Sequence, residues 1–213
     1  MIIIGYIHIC QLGNWQIPFD MIMKDVKSNG LYEATLEIRV CIVNNNEGII
    51  DDIRFHDPKI VLVAHGVASR YERLTLEHMS ENAFTDPCCC YWYAHTKGIR
   101  YFGSDELHKA SCVSSWIKLM THYNFVNWRN AVACLQTHDV YGCEYHDKGI
   151  FPRHYSGNFW WANSQYIKQL PKKVGDGYLD PEFWLLQIDY VKIFNSHSTG
   201  YAPAMLYMFN ANI

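Results

Sequence analysis

Several stretches of the sequence carry side chains whose types and spacing could do chemistry. His95-Thr96-Lys97-Gly98 sets an imidazole, a hydroxyl and a cation in consecutive positions. That combination suits a diphosphate: Lys97 offers charge, and His95 offers a proton or a nitrogen ligand. Asp180-Pro181-Glu182 begins like a helix, with Asp180 as the N-cap and Pro181 at the first helical position. Glu182 has two readings. The helix dipole favours a carboxylate in a first turn, and a carboxylate beside an aromatic pocket can serve a hydroxyl as base or anchor. His197-Ser198-Thr199-Gly200-Tyr201-Ala202-Pro203 joins an imidazole, which suits divalent metals, to a glycine whose backbone can approach a phosphate. The densest stretch is His154–Pro171, HYSGNFWWANSQYIKQLP. Its Ser156-Gly157-Asn158 turn pairs close backbone approach with an amide that both donates and accepts. Phe159, Trp160 and Trp161 then add large amphipathic surfaces of the kind that flank sugars or bases. Taken alone, such rings are more often core.

The elements that must position these groups alternate between strand and helix patterns. Strands are expected at Ile2–Ile9, Thr35–Val43, Lys59–Ala64, Cys88–Ala94 and Val140–Tyr145, with final strands at Val191–Phe194 and Met205–Phe209. Val61-Leu62-Val63 reads as fully buried. Helical patterns run from Pro18 to Val26, closed by Asn29-Gly30, and over Arg70–Phe84, Ser111–Tyr123, Asn127–Gln136 and Asn163–Leu170. This order predicts an α/β fold in a single domain spanning 1–213, with a mixed, mostly parallel central sheet flanked by helices. Ligands then belong at the carboxyl ends of strands. The His8–Trp15 exit is one such end: Gly13 permits close approach, and Trp15 or Tyr6 could stack on a base. His65, beside Gly66, closes the third strand. Arg70, Arg129 and Arg153 are further phosphate candidates.

Composition narrows the classes. Hydrophobic residues make up 49% and charged residues 18%, which places the chain among globular proteins. A formal net charge of −3, with Lys and Arg dispersed, leaves no basic footprint for nucleic acid. No apolar run reaches the length of a membrane span, and MIIIGYIHIC reads as a first strand rather than a signal peptide. The eight cysteines include no C-x-x-C pair, so reduced thiols and a cytoplasmic location are expected. Neither a Gly-x-Gly-x-x-Gly fingerprint nor a Gly-Lys-Ser/Thr phosphate loop is present.

HYSGNFWWANSQYIKQLP resembles the H-x-S-G-N-F-W-W-A…Y-I…L-P signature of a family of GT-A-fold nucleotide-sugar glycosyltransferases, among them chlorella-virus enzymes of capsid-glycan synthesis. YAHTKG, Trp128-Arg129 and DVYGCEY fit the same family, so the resemblance covers roughly Cys90 to Trp184. It implies a Rossmann-related GT-A fold, one domain of a longer polypeptide, in a viral host's cytoplasm. It also implies transfer of a sugar, glucose or a deoxyhexose such as rhamnose, from a UDP-sugar to a glycan hydroxyl with Mn²⁺ or Mg²⁺. The implied donor and diphosphate residues are His8, Leu12, Gly13, Trp15, His65, Lys97 and Gly200. Ser156, Gly157, Trp160 and Trp161 fall on the sugar and acceptor side, and Glu182, Asp180 and Asn158 are the catalytic candidates. His95 and His197 are the metal candidates, because His95-Thr96-Lys97 stands where such enzymes carry Asp-x-Asp. His197…Gly200 is similar to the His-x-x-Gly loop of retaining members. An inverting enzyme would use Glu182 or Asp180 as base; a retaining one would use them for positioning. Two other readings stand beside this one: a carbohydrate-binding domain without catalysis, and a metal-dependent hydrolase built on histidines.

Overall fold

The computed structural model describes residues 1–200. The strand expected at Met205–Phe209 and the Tyr201–Pro203 end of the His197 loop lie outside the described residues. Residues 1–200 form an α/β domain around a seven-stranded sheet. In chain order the strands are β1 (Ile2–Cys10), β2 (Glu37–Asn44), β3 (Ile60–Val67), β4 (Cys89–His95), β5 (Val140–Gly142), β6 (Tyr145–His146), β7 (His154–Tyr155), β8 (Trp160–Asn163) and β9 (Ile193–Asn195). The helices are α1 (Gln16–Lys27), α2 (Leu31–Ala34), α3 (Arg73–Asn82), α4 (Leu107–Thr121), α5 (Trp128–Cys134), α6 (Ser164–Ile167) and α7 (Asp180–Phe183). The sheet order is β3-β2-β1-β4-β8-β5-β9, and β6 pairs with β7 separately. Pairing is parallel throughout the sheet except at β8, which runs antiparallel to both β4 and β5.

Both faces of the sheet centre are covered, so its strands are apolar on both sides. Ile3, Ile7 and Ile9 of β1 and Trp92 of β4 pack under α1 and α4. Ile4, Tyr6, Tyr91 and Tyr93 pack on the opposite face with Leu76 and Met79 of α3. The same alternation splits the tryptophan pair, because neighbouring strand residues point to opposite faces. Trp161 enters the first core and Trp160 the second, both essentially without exposure. Between α4 and α5 the chain widens into a π-type turn at His122–Val126, and its Asn124 carbonyl accepts the Trp161 indole N–H at 2.8 Å.

Three expectations are corrected. Val61 and Leu62 are each 40% exposed, because among the described residues β3 is an edge strand with no neighbour on one side. Trp15 is buried, stacked on Phe55 at 5.4 Å, and so belongs to the core rather than to a base-stacking surface. Tyr6 is likewise enclosed, its hydroxyl accepting from Arg39 at 2.9 Å. All eight cysteines are free thiols. Among the described residues no helix is long and apolar enough to cross a membrane.

Candidate functional site

A cleft of about 600 Å³ opens at the carboxyl ends of β1 and β4. Strand order reverses there: the chain lays β2 and β3 to one side of β1 and returns to place β4 on the other. Loops leaving the two strands diverge at such a point, which leaves a crevice between them. His8 and Cys10 enter from β1, His95 through Tyr101 from β4 and its exit, Glu72 from the segment before α3, and Glu182 from α7.

His8 and His95 are register partners on adjacent strands. The His8 ring is held by Thr75 Oγ1 at 2.9 Å. Burial pushes His8 down to about 4; Glu72 opposes that shift and His95 adds to it. His95 is pushed down to about 3 by burial first and by the Lys97 cation second. Both rings are therefore neutral near pH 7. His95 Nε2 lies 3.0 Å from the Gly157 carbonyl oxygen, which can only accept, so Nε2 carries the hydrogen. Its Nδ1 is left as a lone pair, 3.5 Å from Glu72 Oε1.

Glu72 is the site residue that sequence reasoning missed. Its other oxygen, Oε2, accepts from the Tyr93 hydroxyl at 2.7 Å and from Asn158 Nδ2 at 2.6 Å. Burial, with the Glu72 charge second, raises the Tyr93 phenol well above its ordinary range, so it remains a donor. Position was the available signal, since Glu72 follows a strand exit and opens the next helix, where such folds collect function.

Of the His154–Pro171 stretch, His154 lines the cleft, while Gly157 acts on it from behind through hydrogen bonds to two lining side chains. Gly157 donates its N–H to Glu182 Oε1 at 3.0 Å, while its carbonyl fixes His95. Its φ is +90°, and a Cβ there would stand 2.2 Å from Met120 Sδ and 3.0 Å from Trp116 Nε1. Glycine is required on both counts. Asn158, also left-handed at φ +58°, bridges Glu72 and the Trp160 indole, whose N–H reaches Asn158 Oδ1 at 2.8 Å. Ser156 is buried, bonded through its N–H to the Glu144 carbonyl and through its hydroxyl to His154 Nε2. Trp160 stacks on Tyr93 at 4.9 Å. Neither tryptophan lines the cleft, so the expected sugar platform is not made by them.

Lys97 lines the cleft with its ammonium 4.0 Å from the Trp116 ring centroid, and Arg100 also lines it with its guanidinium 4.7 Å from the Tyr101 ring centroid. Gly13 and Leu12 do not line the cleft: Gly13 is exposed, where a Cβ would meet the Ile99 carbonyl oxygen at 3.3 Å, and Leu12 is half-buried. Other candidates lie elsewhere. His65 bonds Asn44 Oδ1 at 3.0 Å on the edge strand. Asp180 does not cap α7, whose N-cap is Leu179; its carboxylate takes the Gly177 N–H at 2.7 Å. His197 stacks on Tyr123 at 4.1 Å, and Gly200 is exposed. Their loop is tied down by buried Glu144, which accepts from the N–H and the hydroxyl of Thr199. Arg70 pairs with Glu77, Arg129 reaches the Asn29 carbonyl, and Arg153 the Leu186 and Ile188 carbonyls.

Among the described residues no group of three or more His, Cys, Asp or Glu converges as a metal cage. A two-donor set does exist in the cleft. His95 presents a neutral Nδ1 while its other N–H is fixed on a carbonyl, and Glu72 Oε1 faces it with Oε2 held by two donors. That is the outer-shell pattern that orients metal-binding imidazoles and carboxylates. It fits a divalent cation whose remaining ligands come from a bound phosphate or water. His197 does not contribute to it. No family model matches this chain, and no curated protein is significantly similar to it.

Proposed function

We propose that the chain is a glycosyltransferase that moves a sugar from a UDP-sugar to a glycan hydroxyl. The observation that carries this reading is the division of the cleft: Lys97 and Arg100 come from the β4 exit, while the carboxylates Glu72 and Glu182 come from the segment before α3 and from α7. A sugar diphosphate needs cations at one end and hydroxyl acceptors at the other. The sequence resemblance supports the same reading, and the mixed sheet with its single antiparallel strand is compatible with a GT-A arrangement.

In the transfer, the acceptor oxygen forms a bond to the anomeric carbon as the bond to the diphosphate oxygen breaks. Negative charge grows on the leaving UDP, and Lys97 and Arg100 offset it in a partly dehydrated cleft. Glu182, oriented by the Gly157 N–H, takes the proton of the acceptor hydroxyl. Mn²⁺ or Mg²⁺ held by His95 Nδ1 and Glu72 Oε1 would supply further neutralisation of the diphosphate. Tyr93 and Asn158 keep Glu72 in place for that purpose.

The test is a melting experiment with UDP, since a ligand that binds only the folded state stabilises it by mass action. UDP raises the melting temperature, Mn²⁺ enlarges the shift, and His95→Gln removes the enlargement but keeps the UDP effect. Absence of any shift with UDP, with or without the ion, overturns the reading. A second reading, a carbohydrate-binding domain without catalysis, is favoured by Lys97 standing where the family carries an aspartate. Product formation from any of a panel of UDP-sugars excludes it.

A further inference from the structure

The transfer just described leaves one group of cleft side chains unused. Tyr71 and Tyr178 come from distant parts of the sequence and meet edge to face, with ring centroids 5.5 Å apart at 90°. They are 45% and 73% exposed, and both line the cleft. A single exposed aromatic ring needs no explanation. This pair is held in place by a frame built for it. Tyr71 sits at φ 47°, ψ −145°, a backbone conformation that L side chains rarely adopt and that persists only where the surroundings impose it. Arg73, itself buried, donates to the carbonyls of Gly175, Asp176 and Gly177, each at 2.6 Å. It thereby ties the loop that carries Tyr178 to the start of α3, with its guanidinium 5.7 Å from the Tyr71 ring centroid. Asp180 closes the same loop through the Gly177 N–H.

Charge says what these rings would receive. Glu72 directly follows Tyr71, and Glu182 lies four residues past Tyr178; Lys97 and Arg100 reach the cleft from another element, and the Arg73 guanidinium beside Tyr71 is committed to three backbone carbonyls. Carboxylates repel phosphate and accept from hydroxyls, so the tyrosine end suits a neutral, hydroxyl-rich ligand. A sugar ring has both features required: C–H patches that lie on aromatic faces, and hydroxyls that donate to carboxylates. We propose that Tyr71 and Tyr178 form the subsite for a neutral sugar ring of the acceptor glycan, holding it beside Glu182. The assignment to an acceptor rests on the glycosyltransferase reading; the affinity for a sugar ring does not.

The experiment is saturation-transfer NMR on the full chain with the methyl glycosides of glucose, rhamnose, galactose and xylose, and with uridine. It compares wild type, Tyr178→Ala and Tyr178→Phe, with the UDP melting shift recorded on the same samples. Expected are contact between wild type and at least one glycoside, weakening by about five-fold in Tyr178→Ala, and recovery in Tyr178→Phe, which keeps the ring. The UDP shift stays as in wild type. No glycoside contact in wild type, or equal contact in Tyr178→Ala, overturns the proposal. A loss that falls on uridine or UDP instead overturns it in favour of a base platform. Glycoside contact without any UDP shift supports the sugar subsite while removing the glycosyltransferase reading.

Discussion

Two sets of aromatic rings surround the cleft with opposite fates. Phe159, Trp160 and Trp161 lie beneath it and are 1% exposed or less, whereas Tyr71 and Tyr178 stand at its rim largely in solvent. The first set is in or next to a central strand, where both faces are covered and every ring is drawn into a core. The second set is in loops, where only the Arg73 frame and a strained backbone fix the rings. Aromatic density along the sequence therefore marks framework here. Ring position relative to a strand end marks the surface that meets a ligand.

The contrast can be broken most directly at Trp161. Trp161→Ala removes a ring with no exposure and leaves the Asn124 carbonyl without its donor, so a loss of about 3–5 kcal/mol in urea unfolding is expected. A loss below about 1 kcal/mol would mean that the ring is not framework. Glu182→Gln addresses the working side instead. It keeps an oxygen for the Gly157 N–H but removes the proposed base, so on the glycosyltransferase reading transfer falls roughly hundred-fold while the unfolding midpoint hardly moves. A matching fall in stability would move Glu182 to the framework class.

The buried floor of the cleft also has a pH signature. His8 is neutral in the fold, with its proton affinity pushed down to about 4, whereas the unfolded chain takes up the proton near 6.5. Stability is thus full above pH 6.5 and declines as the pH falls toward 4, by up to about 1.4 kcal/mol per pH unit from this residue. Measured in EDTA, His8→Asn flattens that decline; an unchanged slope would contradict the burial argument. The smallest effect is expected at the rim, where Tyr178→Ala changes unfolding free energy by no more than about 0.5 kcal/mol.

Much of the frame was legible in the sequence because burial on both faces leaves unbroken apolar runs. β1 reads that way and β2 reads as an alternating strand, and with β4 they place His8 and His95 side by side at the strand exits. The same rule misled at β3, whose Val-Leu-Val run is as apolar as a central strand though no described strand pairs with its outer edge. Trp15 follows a turn and reads as exposed, but Phe55, far along the chain, stacks on it. Local pattern carries no information about such a partner. Asp180 shows a related limit: Gly177, only three residues back, competes for its carboxylate and wins it from the helix end. Glu72 went unseen because one glutamate in a polar helical segment has no distinguishing spacing. Beyond its place after a strand exit, the convergence of Tyr93, Asn158 and His95 upon it sets it apart.

The antiparallel strand β8 has a consequence for how the molecule is assembled. β4 and β5 do not pair with each other; β8, the latest of the three in the chain, slots between them and pairs with both. A growing polypeptide can therefore build the parallel block of β1 to β4 early, but the remainder of the sheet waits for Trp160–Asn163 to be synthesised. Until then β4 presents an open edge of unpaired backbone groups, a surface prone to association. Because Gly157 and Asn158 lead directly into β8, the insertion that closes this edge also delivers the groups that orient His95, Glu72 and Glu182. The cleft acquires this arrangement only when β8 is in place, so a half-made chain lacks it.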